Sequence, residues 1–177
     1  MRRLAVVVPI VLIAAGCSAG GSEPSRASPS GQAISVSPPP DAAIVQGGCG
    51  ATPVYKGYEP AWLDQAGAHN NPSGLPYVLA VDETAAGFIF GYPLRAGHPT
   101  NPSNKILWVV RLPRNGSSLA ISGQLSGADA ASVHESEPAN SGPGEIYPSI
   151  VDVPQSGCWR FDLLWAGHHA AAYLQYQ

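Results

Sequence analysis

The stretch IYPSIVDVPQSGCWRFDLLW, residues 146–165, decides the fold class. Its opening run is largely apolar and is interrupted by Pro148. Pro154-Gln155-Ser156-Gly157 follows, with the proline and glycine that a bend requires. Then Trp159, Phe161, Leu163 and Trp165 alternate with Arg160, Asp162 and Leu164. A period of two puts the large apolar side chains on one face of a strand and the charged ones on the other. Two tryptophans and a phenylalanine on one strand face are a heavy apolar load, so this strand is expected to floor the core.

Working outward, the same reading predicts strands over 77–81, 86–92, 105–111, 118–125, 131–135, 146–153 and 170–176. Turn residues separate them: Asp82-Glu83-Thr84, Asn101-Pro102-Ser103-Asn104, Pro113-Arg114-Asn115-Gly116, Ser141-Gly142-Pro143-Gly144 and Ala166-Gly167-His168-His169. The run Lys105 to Arg111 is apolar on both faces and bounded by charges, which predicts a central strand. One short helix is expected over 60–67, with Pro60 in its first turn and Gly67 as its stop. Seven to eight short strands with such punctuation predict an all-β fold, an immunoglobulin-like β-sandwich.

Three segments divide the chain. Residues 1–17 read as a leader, with Arg2 and Arg3 ahead of an apolar run from Leu4 to Ala15. That run is shorter than the roughly 20 residues of a membrane span. It ends in Ile13-Ala14-Ala15-Gly16-Cys17, which resembles the lipobox of bacterial lipoproteins, with Ala14 where leucine is usual. The resemblance implies lipidation of Cys17 and anchoring at the extracytoplasmic face of a bacterial cell membrane. Residues 18–46 are dominated by Ser, Pro, Ala and Gly. Such composition cannot bury enough surface to offset ordering entropy and predicts a disordered tether. Residues 47–177 are the size of one domain.

The compartment shapes the reading of the other cysteines. With Cys17 lipidated, Cys49 and Cys158 are left as a pair in an oxidising environment, which predicts a disulfide. Closing a loop of that length would stabilise the fold by about 3–5 kcal/mol in the chain-entropy model. The 9 basic and 12 acidic residues give a net charge of −3. No basic patch interleaved with aromatics occurs, so nucleic acid is not an expected partner.

Chemistry-bearing residues are sparse. Ser156-Gly157-Cys158-Trp159-Arg160 resembles the S-H-G-C-x-R motif of L,D-transpeptidases, with Ser156 where the motif has histidine. That resemblance implies an alternative function, a cell-wall-modifying enzyme with Cys158 as nucleophile. His69, His98, His134, His168 and His169 sit in or beside expected turns without a metal-ligand spacing, and an envelope metal carrier using them is the second alternative. Asp82-Glu83 reads as a hairpin tip and the Glu135-x-Glu137 pair as a strand end. No catalytic, metal or cofactor site is expected. Tyr55, Tyr58 and Trp62 cluster in the loop-rich opening of the domain and are the candidate ligand-binding residues, since loop aromatics can stack on sugars or anchor a protein partner.

The segments AGFIFGYPLRAG (86–97), KILWVVRLP (105–113) and GEIYPSIVDVPQSGCWRFDLLWAGH (144–168) together resemble uncharacterised lipoproteins of bacteria, particularly actinobacteria. The resemblance implies an immunoglobulin-like extracellular domain and carries no activity. The expected function is a non-catalytic binding or interaction module at the cell envelope. Its partners would be the membrane, through the lipid, and an envelope protein or glycan.

Overall fold

The computed structural model describes residues 41–68, 74–127 and 132–177. The leader, Cys17, most of the tether and His69 lie outside the described residues. In chain order the elements are β1 (Ala42–Cys49), β2 (Thr52–Gly57), α1 (Ala61–Gln65), β3 (Tyr77–Leu79), β4 (Ala85–Ile89), β5 (Lys105–Val110), β6 (Leu119–Leu125), β7 (Ser132–Glu137), β8 (Ile146–Ile150), β9 (Gly157–Trp165) and β10 (His168–Tyr176). The fold is all-β, as the sequence predicts, with ten strands in one antiparallel sheet ordered β7-β6-β9-β10-β1-β2-β3-β4-β5-β8.

The sheet curls so that its two halves face each other across one core. Trp159, Phe161, Leu163 and Trp165 of β9 and Leu119 and Ile121 of β6 meet Ile106, Trp108 and Val110 of β5, all essentially without solvent exposure. Trp108 and Phe161 make the contact between the halves, with ring centroids 6.5 Å apart. Each of these rings lies across the ladder from a glycine: Gly87 is paired with Trp108, and Gly123 with Phe161. A Cβ at Gly87 would stand 2.7 Å from the Trp108 ring, and one at Gly123 2.7 Å from the Phe161 ring. The glycines let the aromatic faces lie flat on neighbouring backbone.

The half containing β2 to β5 and β8 is buried on its outer face too. There Tyr55, Tyr77, Leu79, Phe88 and Val109 form a second apolar layer under Leu63 and Ala66 of the α1 segment. This is why β5 is apolar on both faces. It is flanked by β4 and β8 but lies next to the end of the sheet order and not at its centre, so the expected central strand is an interior one beside an edge.

Two strands were not predicted, β1 and β2. The β1 strand begins at Ala42, inside the stretch assigned to the tether, so the ordered domain starts before residue 47. Its Ala-Ala-Ile-Val-Gln-Gly-Gly-Cys sequence shows no alternation of apolar and polar residues, and Ile44 is 62% exposed. Pairing along Ala42↔Gly57 to Val45↔Val54 forms it, not burial of its own side chains.

Cys49 and Cys158 form a disulfide with Cα atoms 5.8 Å apart. Cys158 alternates with core-facing Trp159, so the bridge lies on the outer face of β9. Beside it the Thr52 hydroxyl donates to the Tyr173 carbonyl at 2.7 Å and accepts from the Tyr173 N–H at 2.6 Å. Gly50, at φ +57, turns the chain against the Tyr173 ring, where no Cβ would fit.

Replacing Gly87 by alanine should destabilise the domain by about 1–3 kcal/mol through overpacking against Trp108. Urea denaturation of the variant against the wild type measures it.

Candidate functional site: the open seam between β7 and β8

The first and last strands of the sheet order, β7 and β8, each have one paired edge. The hydrogen-bond phase shows what their free edges offer. Val110 N–H donates to the Glu145 carbonyl and Val151 N–H to the Asn104 carbonyl. In the register Lys105↔Ile150 to Val109↔Ile146, residues 147 and 149 therefore point their backbone groups at β5. Ile146, Pro148 and Ile150 direct theirs off the edge. Arg114 Nη1 occupies the Ile146 carbonyl at 3.0 Å, and Pro148 has no N–H to offer. Among the described residues no backbone group pairs with the Ile150 N–H and carbonyl or with the Pro148 carbonyl. On β7 the same argument runs from Ser126 N–H to the Cys158 carbonyl and leaves His134 and Ser136 facing off the edge.

Side chains alternate across this seam. Glu135 and Glu137 pair with Ile121 and Leu119, whose side chains enter the core, so both carboxylates stand on the core-side face of β7. Pro148 and Ile150 point to the outer face, opposite to buried Tyr147 and Ser149. A cleft of about 520 Å³ opens here, lined by Lys105, Glu137, Pro148, Ser149 and Ile150. That volume lies within the range of ligand sites. Lys105 forms its outer lip, with the ammonium 4.8 Å from the centroid of the Phe90 ring. Phe90 and Ile150 are 42% and 54% exposed, so the lip is apolar as well as cationic. The Glu137 carboxyl is held above the usual range, first by partial burial and then by the charge of Glu135.

The other candidates are placed elsewhere. Tyr55 is buried in the second apolar layer, its ring 5.6 Å from Tyr77, because it lies on a strand and not on a loop; it presents no face to a ligand. Trp62 lies on α1 with the Arg111 guanidinium 5.8 Å from its ring centroid. Of the three aromatics Tyr58 alone is freely exposed, and its carbonyl accepts the Tyr77 hydroxyl. The sulfur of Cys158 is bonded to Cys49, whereas the transpeptidase-like alternative requires a free thiol there.

The described histidines do not converge. His134, His168 and His169 lie in strands rather than turns. His168 packs 5.7 Å from Trp165 on one face of β10, while His169 Nε2 meets Asp162 Oδ1 at 3.0 Å on the other. Ser122 Oγ and His134 Nδ1 are 3.2 Å apart on the outer face of β6 and β7, but Asp162 is taken by His169 and by Arg160 at 2.7 Å. Thus no single imidazole links the serine to the carboxylate, as a hydrolytic triad needs. Among the described residues no group of three or more His, Cys, Asp or Glu side chains is arranged to hold a metal.

The seam was not identified from sequence. The Glu135-x-Glu137 spacing does place both acids on one face, but which strand lacks a neighbour is a property of the topology.

A carboxyl whose pKa is raised in the folded state favours folding when protonated. Its contribution is complete below pH about 4 and is lost as pH rises through the folded value. Glu137→Gln should therefore raise the melting temperature at pH 7 and leave it unchanged below pH 4. Thermal melts across that range test this.

Comparison with protein families, with curated proteins and with solved structures finds no match to this chain.

Proposed function

We propose that this chain is a bacterial cell-envelope lipoprotein whose β-domain serves as a non-catalytic binding module, held outside the membrane by lipid on Cys17 and by a Ser/Pro/Ala/Gly tether. The Cys49–Cys158 disulfide is the observation that carries this reading. Disulfides persist in oxidising compartments and are rare in the cytosol. The leader ending in Gly16-Cys17 accounts for export to such a compartment. The binding role draws on the open seam, where strand-edge backbone, the Glu137 carboxyl, Lys105 and exposed Ile150 line a cleft. A thiol bound in a disulfide is not a nucleophile, so the same bond speaks for a structural Cys158.

Expression of the full chain in a bacterium fed labelled palmitate, beside Cys17→Ala, tests the address. The wild type should carry label and sediment with membranes; the variant should carry none and be released. Membrane retention of an unlabelled Cys17→Ala chain would overturn the anchor. Alkylation of the exported chain should label neither Cys49 nor Cys158 until the sample is reduced. Rapid labelling of Cys158 beforehand would overturn the structural role and favour thiol chemistry.

A further inference from the structure

We propose that the β7–β8 seam takes a short extended peptide segment with alternating basic and apolar side chains, added as a strand to the free edge of β8. The proposal deepens the binding role above and rests on it.

The main-chain part follows from the edge. An incoming antiparallel residue can exchange bonds with the N–H and carbonyl of Ile150, and its neighbour two along can donate to the Pro148 carbonyl. Growth beyond that is stopped, since Pro148 has no N–H and Arg114 already holds the Ile146 carbonyl. Proline on an edge is a device against open-ended sheet pairing. Here it limits the docking length to a few residues, in keeping with a cleft of about 520 Å³.

The side-chain part follows from alternation. A strand lying beside β8 would send every second side chain toward the core-side face, where β7 presents Glu135 and Glu137. Glu137, half-buried on that wall, and exposed Glu135 beyond it call for cations. The remaining side chains would fall on the outer face beside Pro148 and exposed Ile150, where apolar groups bury exposed carbon. The Lys105 ammonium stands on this outer lip and repels a basic side chain there, which fixes the register. Basic inward and apolar outward is a period-of-two code, and a one-residue slip reverses it.

The test uses the full chain and two blocked hexapeptides, one alternating valine with lysine and one alternating valine with glutamate. Calorimetric titration in about 0.15 M salt limits screening-sensitive, non-specific adhesion. The lysine peptide should bind one to one and the glutamate peptide at least about tenfold more weakly, a difference of about 1.4 kcal/mol. Amide hydrogen exchange should slow at Ile150 when the lysine peptide is bound. The double change Glu135→Gln with Glu137→Gln should weaken binding about tenfold or more. Ile150→Pro, which removes the off-edge N–H together with the exposed isoleucine side chain, should abolish it; the glutamine variants serve if that chain does not fold. Failure of the lysine peptide to bind overturns the proposal, as does equal binding of both peptides. Binding without protection at Ile150 reduces it to surface charge and also overturns it. Protection of Ile150 by self-association in the absence of peptide would assign the seam to a second copy instead. None of these outcomes alters labelling or membrane release of Cys17→Ala, so the address and the peptide site fail separately.

Discussion

Backbone hydrogen bonding at the two places where the sheet changes partners governs this structure. A buried or half-buried strand edge must find partners for its N–H and carbonyl groups, and each one left without them costs free energy. The edge of β10 away from β9 meets this demand piecemeal. Ala171 O accepts from Val81 N–H, Tyr173 exchanges bonds with the Thr52 hydroxyl, and Gln177 exchanges bonds with Leu94 and Ala96. The β1 strand itself pairs with β10 only at Gly48↔Leu174. A threonine side chain thus stands in for a missing strand, and the adjoining disulfide holds it in place. Without that stitching the two halves of the sheet would share a core but little backbone.

Packing follows from the same arrangement. The halves approach closely enough for Trp108 to face Phe161 because each ring sits over a paired glycine. Buried polar side chains then serve backbone accounting. Asn104 holds the Arg95 N–H and carbonyl and the Asp152 carboxylate, Ser149 donates to the Ile106 carbonyl, and Thr52 serves Tyr173. Ser149 adds a side-chain bond within the ladder, and Asn104 and Thr52 satisfy main chain where it stops. Arg114 does the same at the surface by spanning the Gly142 and Ile146 carbonyls.

The limits of the sequence reading have the same physical origin. Most of strands β3 to β10 were legible because they carry their own apolar pattern, β9 above all, with Trp159, Phe161, Leu163 and Trp165 in strict alternation, whereas β7 has only Val133. The β1 and β2 strands were missed because their side chains do not announce them: Ile44 is exposed, Pro53 and three glycines interrupt the pattern, and Tyr55 looked like a loop aromatic until its neighbours Tyr77 and Phe88 were in place. The histidine pair at 168 and 169, expected in or beside the turn, opens β10 directly after it. The tight turn is Ala166-Gly167, both at positive φ, as a two-residue hairpin requires. The seam had no local signature at all. Pro148 was visible as a break in an apolar run, but an edge exists only relative to a whole sheet.

The two discontinuities differ in what they permit. On the β10 side a covalent bond and a buried hydroxyl tie strands that are distant in sequence, and opening there would expose the core beside Trp159 and Leu174. On the β7–β8 side the edges carry glutamates, a proline and an exposed isoleucine, and separating them exposes little that is apolar. Local opening should therefore favour the second seam, where the free-energy cost is lower. The sheet order adds a geometric point. Strand β1, which carries the chain in from Asp41, lies in the middle of the order, while β7 and β8 lie at its two ends. In a sheet curled until those ends approach, the middle is the side opposite the seam. The chain therefore enters the described domain on its stitched side, opposite the open seam.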